Sequence, residues 1–332
     1  MPFLFEAAMS EPQLHHVLCP GASAKNASAE NTGHRMAYWQ WGDARNPHVI
    51  VCVHGLTRQG RDFDVLAGAL SRYARVICPD VVGRGHSDWL QDPAGYQIPL
   101  YAGDMLALLA QLNHEAAVQT LDWVGTSMGG LIGLAVAGTP GLPLPTRLRR
   151  LVLNDVGPAL EWSALRRIGS YLGQTGRFET LQQAADAMWA ISSSFGPHTP
   201  AQWLALSRHM VRPLQLPGGS PMDPLAEVSG PLTLHYDPAI AVPFGGVTEE
   251  GTAQGEKALW DLYDHITAHT LLLRGAQSDL LSAATAHAMT QRGPKARLVE
   301  FAGVGHAPTL VASEQVAAVT AFLADGPPVD LH

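Results

Sequence analysis

The chain has 332 residues, of which 46% are hydrophobic and 15% charged, and this balance indicates a globular protein rather than a disordered one. Its 29 acidic and 21 basic residues give a formal net charge of −8 with no basic tract. That charge argues against nucleic acid and against an anionic membrane surface as partners, because both are bound through clustered positive charge. No stretch approaches the ~20 consecutive apolar residues that cross a bilayer.

The N-terminal residues and the cysteines together predict a cytoplasmic protein. The first residues, MPFLFEAAMS, lack the basic region of a signal peptide. The cysteines, Cys19, Cys52 and Cys78, are odd in number and include no CxxC pair, so neither a disulfide framework nor a thiolate metal site is indicated. We expect roughly the first 30 residues to form an irregular arm that covers a sheet edge or supports a homodimer.

Six short apolar runs predict buried strands, and amphipathic patterns such as Leu100–Leu112 predict helices between them. The runs are His48–His54, Arg75–Cys78, Thr120–Val124, Leu151–Asn154, Thr270–Leu273 and Leu298–Phe301. Strands that are apolar throughout are buried on both faces and pair in parallel. The alternation therefore predicts an open, doubly wound α/β sheet.

Residues 158–262 interrupt this alternation and are predicted to form a mainly helical cap. Three helical patterns, at Trp162–Leu172, Phe178–Ile191 and Ala201–Val211, precede a stretch rich in proline and glycine. We expect the cap to lie over one edge of the sheet and to line an apolar pocket, with Trp162 as a candidate pocket residue. Residues 1–157 and 263–332 would then form the core domain.

The segment Gly125–Gly129, GTSMG, predicts a nucleophilic serine. It follows a predicted strand and precedes a helical run, which is the strand–turn–helix context of a G-x-S-x-G motif. The turn is tight, so small residues are needed on both sides of Ser127. The helix that follows directs its N-terminal amides towards the same point and favours negative charge there.

A serine hydroxyl needs a base, and the base needs an acid to orient it. His306 follows the last predicted strand in a glycine-flanked turn, GVGHAP, and is the predicted base. Asp279, in the loop after the Thr270–Leu273 strand, is the predicted acid. Its rival is Asp155, at the end of the preceding strand, which would otherwise line the substrate pocket.

Acyl transfer places negative charge on a carbonyl oxygen, which backbone N–H groups stabilise. We predict that one donor is the N–H of Met128, next to the nucleophile. The second is predicted to be the N–H of Leu56, in the loop HGLTR that follows the first apolar run. In this loop His54 is expected to be a structural hydrogen-bonding residue, and Arg58 is a candidate pocket residue.

Five segments, in this order along the chain, resemble the α/β-hydrolase superfamily in its capped, esterase- and lipase-like branch. They are His54–Thr57 (HGLT), Pro79–Asp88 (PDVVGRGHSD), Gly125–Gly130 (GTSMGG), Arg274–Asp279 (RGAQSD) and Gly303–Pro308 (GVGHAP). The resemblance implies a mostly parallel eight-stranded sheet, a Ser127–His306–Asp279 triad and no cofactor. It does not identify the substrate, because this fold supports many chemistries.

These features predict a serine hydrolase that cleaves carboxylic esters of small to medium apolar substrates through an acyl-enzyme. One alternative uses the same triad to cleave a C–C bond or a lactone, and an arginine such as Arg58 or Arg84 inside the pocket would favour the C–C reaction. A second alternative is a catalytically silent binding protein. No metal is expected, because His265 and His269 have helical spacing but lack the glutamate of an HExxH motif.

Overall fold

The computed structural model describes residues 11–21, 33–215 and 230–324, and these contain one eight-stranded sheet with helices on both faces. The strands of this sheet are β1 (Gln13–Cys19), β2 (His34–Trp41), β3 (His48–Val53), β4 (Arg75–Pro79), β5 (Thr120–Thr126), β6 (Leu148–Asn154), β9 (His269–Gly275) and β10 (Arg297–Phe301). All six predicted strands are present, and the mostly parallel α/β architecture is confirmed.

The strand order is β1-β2-β4-β3-β5-β6-β9-β10. The pairs β1–β2 and β2–β4 are antiparallel, and the other pairs are parallel. The parallel strands β3, β5, β6 and β9 end at the same edge of the sheet, so the loops that follow them lie close together. The prediction of an irregular N-terminal arm is wrong for Gln13–Cys19, which forms edge strand β1; residues 1–10 and 22–32 lie outside the described residues.

Two helical layers bury the sheet. The helices of the core are α1 (Asp64–Leu70), α2 (Ile98–Glu115), α3 (Met128–Gly138), α9 (Ala283–Gln291) and α10 (Ser313–Leu323). Apolar side chains of α2, α3 and α9 pack on one face of the sheet, and those of α1 and α10 pack on the other. Helix α3 is buried on nearly all sides, which accounts for its high apolar content.

Residues between β6 and β9 form the segment that the sequence predicts as a cap. It contains α4 (Trp162–Tyr171), α5 (Leu181–Ser192), α6 (Pro200–Arg208), β7 (Val211–Pro213), β8 (Leu232–Leu234), α7 (Ala241–Phe244) and α8 (Glu249–His265). Strands β7 and β8 form a small antiparallel pair of their own. A separate apolar cluster, including Met188, Trp203 and Leu206, holds α5 and α6 together. The division into a core domain and a cap stays a prediction.

All three cysteines are buried and none forms a disulfide. Burial raises the pKa of Cys19 and of Cys78 above the ordinary range of a thiol. Within the described part of the chain, no helix is long and apolar enough to cross a membrane.

Candidate active site

Ser127 lies in the turn between β5 and α3, at the edge of the sheet where the parallel strands end. Its backbone has φ 52° and ψ −115°, a conformation that L-residues rarely adopt. A Cβ built on Gly125 would stand 2.3 Å from the Gly129 carbonyl oxygen, and one on Gly129 would stand 2.0 Å from the Val53 carbonyl oxygen. Both glycines are therefore required by the close approach of β5, α3 and β3 around the turn.

The Ser127 hydroxyl meets a histidine that is oriented by a buried carboxylate. Ser127 Oγ lies 2.9 Å from Nε2 of His306, and Nδ1 of His306 lies 2.7 Å from Oδ2 of Asp155. Asp155 is fully buried at the end of β6, with its backbone at φ 57°. The Gly275 amide donates to Oδ1 at 2.9 Å, and the Ser278 hydroxyl donates to Oδ2 at 2.6 Å.

The sequence-based choice between the two aspartates requires correction. The structure brings Asp155, the rival, to His306, whereas Asp279 forms a two-pronged ion pair with Arg167 of α4 at 2.7 and 2.9 Å. The Asp279 side chain is 44% exposed. The physical reason is that the positive φ of Asp155 turns its carboxylate towards the neighbouring loop, where the Gly275 amide and the Ser278 hydroxyl hold it.

The loop after β3 lies beside the nucleophile. A Cβ built on Gly55 would stand 3.8 Å from Ser127 Cβ. The Gly55 carbonyl accepts from His54 Nδ1 at 2.7 Å and from the Arg58 amide at 3.1 Å, which fixes the peptide that carries the Leu56 N–H. Because His54 Nε2 accepts from the Val81 amide, and because burial lowers the pKa of His54 to about 3, this ring is a neutral structural donor.

The other predicted donor is Met128, the first residue of α3, whose N–H has no acceptor within the helix. Leu56 and Ser127 line the same two cavities, and Met128 lines one of them. The two predicted N–H groups therefore belong to loops that meet at Ser127. Their assignment as an oxyanion hole stays a proposal.

Two cavities flank Ser127, and each is named here by the side of the serine on which it lies. The His306-side pocket combines polar side chains, including His306, Arg58, Asp62 and Arg167, with apolar ones, including Met188, Phe195 and Leu206. The Met128-side pocket is lined mainly by apolar side chains, including Met128, Leu131, Ile98, Phe244 and Leu259. Ile168 of α4 lines both, so this helix of the predicted cap lies across the nucleophile.

The predicted pocket residues have different outcomes. Arg58 lines the His306-side pocket, where its Nε and Nη2 donate to Asp62 at 2.6 and 2.7 Å and Nη2 also reaches the Leu206 carbonyl. Burial raises the pKa of Asp62, against the opposing effect of Arg58. Trp162 was predicted wrongly: it lines neither cavity at Ser127, because at the start of α4 it packs with Leu165 and Phe244 at a different cavity.

One group of described residues combines side chains that metals accept as ligands, and it lies elsewhere. Cys19, His34 and Asp104 are all buried where β1 and β2 pack against α2. His34 Nε2 lies 2.9 Å from Asp104 Oδ2, so the polar groups satisfy one another. This cluster ties the edge strands to α2, and none of its residues lines either pocket at Ser127.

Comparisons with known proteins show which family the chain belongs to. The family model of the alpha/beta hydrolase fold matches residues 48–312. A 3-hydroxybutyrate-oligomer hydrolase of Cupriavidus necator is 49% identical over 289 residues, which is 87% of this chain and 92% of that protein. A 2-hydroxymuconate semialdehyde hydrolase of a Pseudomonas species is 26% identical over 243 residues, 71% of each chain. The crystal structure of an alpha/beta hydrolase from Novosphingobium aromaticivorans superposes with a TM-score of 0.74 at 35% identity and covers 94% of this chain and 98% of that one.

The chain belongs to the α/β-hydrolase fold family, as the resemblance of its motifs predicted. Within that family it is a carboxylic ester hydrolase, which confirms the predicted enzyme class. The serine, histidine and aspartate that meet at the sheet edge are the groups such an enzyme needs.

Sequence reasoning missed the roles of Gly275 and Ser278 and did not place Arg84 correctly. Gly275 and Ser278, in the segment RGAQSD, hold the carboxylate of Asp155, although that segment was singled out only for Asp279. Arg84, in the segment VVGRGHSD, is fully buried against the loop of Leu56. Arg84 lies between Gly83 and Gly85, five residues after β4, and its burial could not be read from the sequence.

Proposed function

We propose that this enzyme hydrolyses short linear oligomers of 3-hydroxybutyrate at their internal ester bonds. The observation that carries the proposal is the relay Ser127–His306–Asp155, with distances of 2.9 and 2.7 Å, at the junction of two cavities. Both cavities have apolar linings, and the His306-side pocket also carries charged side chains. The 49% identical relative of Cupriavidus necator, a 3-hydroxybutyrate-oligomer hydrolase, supports the substrate class.

In the proposed reaction Ser127 Oγ attacks the ester carbonyl and its proton passes to Nε2 of His306. Asp155 holds the ring with Nδ1 protonated and stabilises the imidazolium. The N–H groups of Leu56 and Met128 donate to the carbonyl oxygen as it becomes negative. The C–O bond then breaks, and His306 returns the proton to the departing alcohol. Water repeats the sequence on the acyl-enzyme and releases the acid.

The two pockets support an orientation for the substrate. His306 must reach the departing oxygen, and His306 lines only one of the two cavities. The leaving group therefore lies in the His306-side pocket and the acyl group in the Met128-side pocket. In an oligomer of 3-hydroxybutyrate the free carboxylate belongs to the leaving side, where Arg58 and Arg167 lie. The methyl and methylene groups of the acyl part match the apolar lining opposite.

The experiment compares the enzyme with Ser127→Ala on a linear trimer of 3-hydroxybutyrate and on p-nitrophenyl butyrate. The enzyme should cleave both, and the variant should lose about three or more orders of magnitude in kcat. A matched control is Ser278→Thr, which keeps a hydroxyl near Asp155 and should retain most activity. Cleavage of p-nitrophenyl butyrate without cleavage of the trimer would reject 3-hydroxybutyrate oligomers as the substrate, while the assignment as an ester hydrolase would stand.

Cleavage of a C–C bond is the second candidate, supported by the 26% identical 2-hydroxymuconate semialdehyde hydrolase. Arg58, the arginine that would favour C–C cleavage, lines the His306-side pocket and pairs there with Asp62, so its position is compatible with either candidate. Arg84 lines neither cavity at Ser127. Assay of a vinylogous 1,5-diketone substrate decides this point, since a rate above that for the 3-hydroxybutyrate trimer would favour C–C cleavage. A fluorophosphonate probe separates both enzymes from a silent binding protein, because only a reactive Ser127 is labelled.

We also propose a cytoplasmic location, which the three unpaired, buried thiols support. Association into a homodimer stays a prediction. It is tested by light scattering, in which a monomer mass would reject it.

A further inference from the structure

Arg84 is a buried cation whose charge has no carboxylate partner among the described residues. The side chain is 0% exposed. Its Nε donates to the Leu56 carbonyl at 2.9 Å, and its Nη1 donates to the Val82 carbonyl at 2.7 Å and to the Tyr101 hydroxyl at 3.0 Å. Its Nη2 faces the Met128 sulfur at 3.6 Å. Carbonyls, a hydroxyl and a thioether therefore satisfy the guanidinium without neutralising it.

Two aromatic rings provide the remaining contacts. The guanidinium carbon lies 5.2 Å from the ring centroid of Tyr101 and 5.8 Å from that of Tyr96. Ring faces attract cations, but less strongly than a carboxylate does. A buried charge left unpaired is costly, and an apolar side chain of similar size would fill the same space at lower cost. The arrangement is explained if the charge is used when negative charge develops nearby.

The residues that Arg84 holds are the two proposed donors of the oxyanion hole. Its Nε fixes the Leu56 carbonyl, while the preceding peptide is fixed by His54 through the Gly55 carbonyl. Leu56 is thus held on both sides. The contact with Met128 reaches the other donor residue, at the first turn of α3.

We propose that Arg84 is the positioning residue of the oxyanion hole and that its uncompensated charge stabilises the tetrahedral intermediate from behind the two N–H donors. The proposal rests on the proposed roles of Leu56 and Met128. Because Arg84 lines neither pocket, it acts on the negative oxygen that forms in the transition state and has little effect on substrate binding.

The test uses Arg84→Gln and Arg84→Lys with p-nitrophenyl butyrate, so that it does not depend on the oligomer substrate. Removal of the charge should lower kcat about 10- to 100-fold and change KM less than about threefold, below the ~100- to 1,000-fold loss seen when a donor itself is removed. Arg84→Lys should fall between the enzyme and Arg84→Gln, because lysine keeps the charge and loses the planar fork.

A second readout separates this role from a merely structural one. Ser127 Oγ adds to the carbonyl of an aryl trifluoromethyl ketone and leaves a negative oxygen in the proposed oxyanion hole. In each Arg84 variant the affinity for this ketone should therefore fall by the same factor as kcat. The matched control is Arg75→Gln, another buried arginine, which is bonded to Gln40 and Glu115 away from the site. It should lower the melting temperature and leave kcat and ketone affinity unchanged.

Should Arg84→Gln fail to fold, Arg84→Lys and Tyr101→Phe decide the matter. Tyr101→Phe removes only the hydroxyl that anchors Nη1, and it should lower kcat and ketone affinity together by about two- to fivefold. Ketone affinity within twofold of the unmodified enzyme in every folded variant would overturn the proposal. Equal losses in kcat and ketone affinity at unchanged KM would support it.

Discussion

The loops after β6 and β9 each carry an aspartate, and the two aspartates have opposite environments. Asp155 is fully buried and faces His306, whereas Asp279 is 44% exposed and faces Arg167 of the predicted cap. Both loops follow neighbouring parallel strands at the same sheet edge. The difference teaches that position along the chain does not select the acid. The selection comes from the backbone turn at Asp155 and from the Gly275 amide and Ser278 hydroxyl that receive its carboxylate.

The strongest test of this difference between Asp155 and Asp279 is to replace each carboxylate with an amide in turn. Asp155→Asn should lower kcat about 1,000- to 10,000-fold, because an amide opposite Nδ1 stabilises the wrong tautomer of His306. Asp279→Asn should keep kcat within about threefold, since Asp279 has no contact with the imidazole. The measurement is kcat for p-nitrophenyl butyrate, with circular dichroism as the control for folding. A larger loss in Asp279→Asn would contradict the assignment made here.

Arg167 connects the exposed aspartate to the His306-side pocket, since it pairs with Asp279 and lines that pocket. Arg167→Gln should lower kcat/KM about tenfold for a free-acid dimer of 3-hydroxybutyrate, because the carboxylate loses a cation. The methyl ester of the same dimer should lose less than about threefold.

Arg166→Gln is the matched control for Arg167→Gln. Arg166 is the residue of α4 immediately before Arg167 and lies at the Trp162 cavity, so the rates for both substrates should be unaffected. Equal losses for acid and ester in Arg167→Gln would show that Arg167 does not select the carboxylate.

Variants of Ser278 test how much the loop after β9 contributes to the function of Asp155, which follows β6. Its hydroxyl donates to Asp155 Oδ2 at 2.6 Å, the oxygen that also faces His306. Ser278→Ala should lower kcat about three- to tenfold, because Asp155 keeps the Gly275 amide but loses one charge-assisted hydrogen bond. Comparison with Ser278→Thr, which retains the hydroxyl, isolates that bond. An alanine variant as active as the threonine variant would show that the bond has no catalytic consequence.

The smallest expected effect concerns stability. The Arg167 side chain is 38% exposed and the Asp279 side chain is 44% exposed. Exposed ion pairs contribute about 0–1 kcal/mol to the free energy of unfolding. Asp279→Asn should therefore shift the urea midpoint only slightly, and 0.5 M salt should reduce the difference further. A loss above about 2 kcal/mol would mean that the pair holds the predicted cap far more tightly than its exposure implies.

Most of the fold was accessible from the sequence because its parallel strands are apolar on both faces. Strands β1 and β2 were not among the predicted runs. Polar residues interrupt the apolar pattern in both, such as His15 and His16 in β1 and Arg35 and Gln40 in β2. The turn that places Ser127 was predicted because steric crowding allows only glycine at positions 125 and 129. The apolar strands and the glycines that flank Ser127 are patterns of neighbouring residues, so they can be recognised in the sequence without knowledge of tertiary contacts.

The site beyond Ser127 and His306 depended on contacts between distant segments. The acid could not be chosen, because Asp155 and Asp279 follow neighbouring strands and only the tertiary contact with Gly275 separates them. Trp162 was expected at the pocket on aromatic character alone, whereas the direction it faces depends on how α4 is rotated. Arg84 was noted as charged, but its burial depends on Leu56 and Tyr101 from two other parts of the chain.

The buried state of all three cysteines has a practical consequence for following the enzyme at work. Alkylating dyes require an accessible thiolate, so the native side chains offer them little to react with. A variant such as Ile191→Cys, at a position that is 45% exposed and borders the His306-side pocket, would supply one reactive attachment point without removal of any native thiol. A fluorophore placed there would report the arrival and departure of ester in real time, next to the chemistry it monitors.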